Sequence, residues 1–123
     1  MIKKQVLDSV ISLWESVNEK EYWESNKEKD FQEHIIQVLR AAGMAVIVLP
    51  DESTRYVFPD LLCHYTDCGN VKKSFYIECK RKRGSLHKGQ KISFETLTEF
   101  VDVYTVRKKK HWLDLLDLLL NDC

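Results

Sequence analysis

Asp60-Leu-Leu-Cys-His-Tyr65, Thr66-Asp-Cys-Gly-Asn70 and Ser74-Phe-Tyr-Ile-Glu-Cys-Lys80 are the stretches that decide the fold. The first and third are short, rich in apolar and aromatic residues, and read as strands. The middle one has the Asp, Gly and Asn of a hairpin turn. Side chains alternate along a strand, so Glu78 and Lys80 point one way while Ile77 and Cys79 point the other. Pro59-Asp60 brings a second carboxylate to the start of the earlier strand. A carboxylate inside an apolar strand needs a partner to offset its desolvation. Two hard oxygen donors with an amine beside them are enough to start a Mg²⁺ or Mn²⁺ site, a set of parts that suits phosphodiester hydrolysis.

Working upstream, Met44 to Leu49 is almost wholly apolar and rich in β-branched residues, which predicts a buried strand. The polar stretch from Pro50 to Tyr56 reads as a loop. Residues 31–42 read as a helix with Phe31, Ile35, Val38 and Leu39 as its apolar stripe. Asp30-Phe-Gln-Glu33 has the form of a capping box, and Gly43 is its stop. Ile2, Val6, Val10, Leu13, Trp14 and Val17 recur at helical spacing and predict an amphipathic helix over 2–24. Downstream, the reading is a basic loop over 81–89, a helix over about 90–102, a strand over 103–107, and a helix from His111 to about Asn121 that is apolar nearly all round. The order is α-α-β-β-β-α-β-α. The late helical crossover favours parallel pairing of the last two strands, so the fold class is α/β, a mixed sheet of about four strands flanked by helices.

A chain of 123 residues supports one core. Within it, residues 1–27 read as an accessory N-terminal helix and 28–123 as the main domain. No apolar run approaches the length of a membrane span, no signal-peptide core is present, and four cysteines are too few for a disulfide scaffold; a cytoplasmic protein with reduced thiols is expected. Cys63, His64 and Cys68 lack a fourth ligand at structural-zinc spacing. The net charge of zero conceals a segregation. Residues 72–111 hold twelve Lys/Arg against four acids, and the remainder is correspondingly acidic. Such a segment fits a phosphate-backbone partner, and it also fits a solvated, salt-bridged face.

Pro59-Asp60 with Glu78-x-Lys80 resembles the PD-(D/E)XK nuclease superfamily. Glu78-Cys-Lys80-Arg-Lys-Arg-Gly84-Ser-Leu86-His-Lys-Gly-Gln90 narrows the resemblance to the VRR-NUC family, whose motif runs Glu-x-Lys, three residues, Gly-x-Leu, three residues, Gln. The likeness covers about residues 28–120. Phe58 departs from it, standing where the family commonly has a small residue before its Pro-Asp.

The resemblance implies a restriction-endonuclease-like fold and a metal-dependent deoxyribonuclease. Its metal would be held by Asp60, Glu78 and the backbone carbonyl of Cys79, with Glu33 as the family's helical glutamate. Lys80 would orient or deprotonate the attacking water, and Gln90 would act from the following helix. Arg81, Lys82, Arg83, Lys88, Lys91, Arg107 and Lys108 would contact DNA. Stand-alone members of the family act on branched DNA such as Holliday junctions and work as homodimers. Other readings of the same residues stay open. Asp60 fits a loop cap, Lys80 an edge-strand lysine, Gln90 a surface residue and Glu33 a capping-box partner. An exonuclease or restriction-like nuclease, or a non-catalytic nucleic-acid-binding module, fits the chain as a whole.

Overall fold

The computed structural model describes residues 1–19, 28–49, 58–80 and 95–122. Four strands form one sheet in the order β1-β2-β3-β4: β1 Ala45–Val48, β2 Leu61–Thr66, β3 Lys72–Cys79 and β4 Asp102–Val106. The β1–β2 and β2–β3 pairs are antiparallel and the β3–β4 pair is parallel. The hairpin and the late parallel pairing are thus as the sequence indicates.

Asp67 closes the β2–β3 turn. Its Oδ1 accepts the amides of Gly69 and Val71, each at 2.9 Å, and Asn70 takes the left-handed conformation with φ +64°. Burial along β2 and β3 follows the pleat. Leu61, Cys63, Tyr65, Phe75, Ile77 and Cys79 are buried and share one core with the helices. The opposite face carries Leu62, His64, Tyr76 and Lys80, all half-buried, together with Glu78.

Three helices complete the described fold: α1 Lys4–Glu15, α2 Glu28–Ala41 and α3 Lys109–Asn121. α1 buries Leu7 and Trp14, α2 buries Phe31, Ile35, Ile36, Val38 and Leu39, and α3 buries Trp112, Leu115, Leu116 and Leu119. These spacings lay one apolar stripe on each helix. Trp14 Nε1–H donates to His34 Nε2 at 2.8 Å, and the His34 ring lies edge-on to both Trp14 and Trp112. α1 therefore belongs to the common core. α2 stops at a left-handed Gly43, φ +93°, with Gly43 N–H bonded to Arg40 O and Met44 N–H to Leu39 O. A Cβ on Gly43 would meet the Met1 carbonyl at 2.7 Å, so the N-terminus also requires glycine there.

Several expected boundaries move. α1 ends at Glu15, not near residue 24, because Ser16 turns the chain by bonding Leu13 O through both its amide and its hydroxyl. α2 begins at Glu28, so Asp30 lies in its first turn and does not cap it. Among the described residues β1 is an edge strand with Ala45, Ile47 and Val48 exposed, not a buried one; Arg40 Nη2 satisfies its Val46 carbonyl at 2.9 Å. Of the helix expected over 90–102, residues 95–97 are helical, turns follow at 98–100, and Asp102 already opens β4. The loop expected over 50–56 and the basic loop over 81–89 lie outside the described residues. Among those described, no helix is long and apolar enough to cross a membrane.

Candidate active site

Antiparallel pairing assembles the site. Continuing the β2–β3 register one step past Leu61↔Ile77 sets Asp60 directly opposite Glu78. Two backbone amides then orient the two carboxylates. Cys79 N–H donates to Asp60 Oδ2 at 2.8 Å, and Asp60 N–H donates to Glu78 Oε2 at 3.1 Å. Lys80, two residues along the same face, places Nζ 3.3 Å from Glu78 Oε1. Asp60, Glu78 and Lys80, singled out from sequence, are brought together.

Glu78 is 1% exposed. Burial pushes its carboxyl up to about 7, the Asp60 charge pushes the same way, and the Lys80 amine and the Asp60 amide offset part of the rise. Two acids compressed against each other in a half-dry site are unfavourable together unless a positive charge joins them. The donor set is all oxygen, with a lysine within reach of one carboxylate, and it fits a Mg²⁺ or Mn²⁺ ion, which is bound through one or two carboxylates while keeping several waters. Among the described residues no group of three or more His, Cys, Asp or Glu is gathered for a metal.

The remaining expected residues fall as follows. Cys79 is fully buried on the helix side, and its thiol is pushed well above the usual range by burial, then by the charges of Asp60, Glu78 and Glu28. It is a packing residue through its side chain. Cys63 is likewise buried, its thiol pushed up to about 12 by burial. Glu33 is exposed on α2. The acid of α2 whose charge reaches this end of the sheet is Glu28, in the first turn. A helix that starts after a cap at Asp30 leaves Glu28 outside it, so the sequence alone does not single Glu28 out.

The parallel register adds two neighbours. Thr105 is the partner of Glu78, and one step past Cys79↔Val106 sets Arg107 beside Lys80, where Lys80 N–H donates to Val106 O at 3.0 Å. Lys108 precedes the first turn of α3. Lys109 Nζ is bound to the carbonyls of Val17 and Glu15, a tie between α1 and α3. Arg81, Lys82, Arg83, Lys88, Gln90 and Lys91 lie outside the described residues. Compared with known proteins, the chain matches no family model, no curated protein and no solved structure.

Proposed function

We propose that this chain is a Mg²⁺- or Mn²⁺-dependent deoxyribonuclease with a restriction-endonuclease-like fold. In this reading it is a structure-specific endonuclease on branched DNA that works as a homodimer. The observation that carries it is the Asp60–Glu78 pair, held by reciprocal backbone hydrogen bonds with Lys80 Nζ 3.3 Å from Glu78. The Gly84-x-Leu86-x-x-x-Gln90 continuation and the segregated basic segment support the nucleic-acid substrate.

Asp60 and Glu78, with the Cys79 carbonyl, would hold the ion. When bound, it would polarise the phosphodiester and lower the pKa of a coordinated water. The protein's own groups do the rest. Asp60 and Glu78 are fixed before substrate arrives, so little reorganisation accompanies binding. Lys80 orients the attacking water and donates hydrogen bonds to the phosphoryl oxygens as charge develops on them. Arg107, next to Lys80 in the register, supplies a contact to the phosphate backbone.

Incubating the purified chain with supercoiled, linear and four-way-junction DNA in Mg²⁺, Mn²⁺ and EDTA tests this. Metal-dependent cleavage that favours the junction is expected. Tight, salt-sensitive binding with every substrate left intact would assign the fold to a non-catalytic binding module.

A further inference from the structure

The corner between β4 and α3 holds four cations in a row, Arg107-Lys-Lys-Lys110, followed by His111. It is pinned at both ends. Val106 is 1% exposed and Trp112 is fully buried, so residues 107–111 have little slack between them. Lys80 N–H donates to Val106 O at 3.0 Å, the bond a parallel ladder makes when Lys80 and Arg107 are partners. Lys109 is committed elsewhere, its Nζ held by the Val17 carbonyl at 3.0 Å.

α3 starts without the usual aids. Among the described residues, Lys108 stands at the N-cap with no side-chain cap hydrogen bond, and no acid lies in the first turn. Cations at the positive end of a helix oppose its start. His111, the third residue of α3, fastens the corner from the helix side. Its Nδ1 accepts the Arg107 N–H at 3.1 Å, while its own N–H donates to Lys108 O at 3.0 Å. A capping box makes a similar backward reach with Glu or Gln at this helical position. Accepting at Nδ1 requires that this nitrogen carry no proton. Burial lowers the pH at which the ring takes up its second proton; Lys108, Arg107 and Lys110 act the same way, and Asp114 opposes them. From the neighbouring elements, β3 brings Lys80 beside Arg107, and Glu19 accepts the Lys109 N–H at 3.3 Å.

We propose that His111 is a positioning residue of this site: it holds the Arg107 backbone in place, so that Arg107 meets the phosphate bound beside Lys80. This inference rests on the nuclease reading and deepens it. A guanidinium is preorganised for a phosphate only if the backbone beneath it is fixed. The bond between Lys80 and Val106 fixes one side of Arg107, and the His111 ring fixes the other. A proton on Nδ1 would face the Arg107 N–H, and the bond would be lost. The same proton adds a positive charge to the basic strip. The two consequences have opposite signs: charge alone tightens DNA binding in acid, whereas a loosened corner weakens it.

The experiment measures the affinity of the full chain for a four-way junction at about pH 7.5 and about pH 5, on either side of the histidine range. Ca²⁺ replaces Mg²⁺ so that the DNA stays whole. His111→Gln keeps an acceptor at the same helical position and does not titrate. It should match wild type at the higher pH. At the lower pH, wild type should bind more weakly than His111→Gln by about 2- to 30-fold, the range for losing one cap bond. His111→Ala should be weaker than wild type at the higher pH by a similar factor, and should add nothing in an Arg107→Ala background. Amide NMR of the unbound chain should show the Arg107 N–H resonance moving with the His111 ring titration. Equal or tighter binding of wild type than of His111→Gln in acid would overturn the inference; tighter binding would make the ring a cation that contacts phosphate. An Arg107 resonance that ignores the His111 titration would overturn it with the nuclease reading untouched, and it decides the matter if His111→Ala fails to fold. A wild-type chain that binds no junction DNA would remove the nuclease reading, and this one with it.

Discussion

Glu78 sets the terms at the residue scale. A carboxyl raised to about 7 keeps its proton in the folded chain over a range where the unfolded chain, titrating near 4.5, has lost it. Folded-state protonation therefore favours the native state at low pH, and stability falls as pH rises from about 4.5 to 7. Above 7 the metal-free protein carries a penalty on the order of 3 kcal/mol. Urea unfolding in EDTA should show it, and Glu78→Gln should be more stable than wild type by about that amount at pH 8 and little different at pH 4.5. Mg²⁺ should recover the loss in wild type and do nothing for Glu78→Gln. Lys80→Ala should leave metal binding in place and lower cleavage by about 10²- to 10³-fold, the usual effect of removing one donor to a developing oxyanion. Asp60, Glu78 and Lys80 were legible in the sequence because strand alternation and a hairpin determine which side chains meet. Glu28 was not, because nothing local distinguishes an acid in the first turn of a helix from one just before it.

At the scale of elements, two junctions carry testable consequences. Gly43 ends α2 in the left-handed region with a backbone oxygen at 2.7 Å from any added Cβ. Gly43→Ala should cost about 1–3 kcal/mol in chemical denaturation, since both the φ and the contact oppose a side chain. The Trp14–His34–Trp112 contact joins α1, α2 and α3. Burial holds His34 below the usual histidine range, and its Nε2 must stay unprotonated to accept from Trp14. Here the sign is opposite to that of Glu78: stability is complete above about pH 6.5 and is lost as pH falls below it. His34→Gln, which offers an acceptor that does not titrate, should remove that acid-side loss when its unfolding curves are compared with wild type. These elements also show where reading the sequence stopped short. Apolar periodicity continues past Glu15, so the sequence alone extends α1 too far; what stops it is a Ser16 side-chain bond. An apolar run such as Ala45–Val48 says that a strand forms but not how many neighbours it has, and among the described residues β1 is an edge.

Among the described residues, the three helices share their core with one side of the sheet, and Asp60, Glu78 and Lys80 lie on the other, at the end where β2 starts and β3 and β4 finish. The mixed sheet of four strands could be read in advance, since a hairpin followed by a long connection allows few topologies. The placement of Arg107 beside Lys80 could not, because register between β3 and β4 is set by packing across a long connection. If this side faces DNA, Arg107→Ala should weaken binding equally across sequences and reduce the slope of log K against log salt by about 0.9, the value for one phosphate contact.

The central claim is that Asp60, Glu78 and Lys80 form one hydrolytic centre. It is tested most directly by single-turnover cleavage of a four-way junction in Mg²⁺ by wild type, Asp60→Asn, Glu78→Gln and Lys80→Ala, with junction affinity measured alongside. The account predicts that wild type cuts, that each variant loses cleavage by at least about 10²-fold, and that affinity stays within a few-fold. Cleavage by any of the three at the wild-type rate would contradict it.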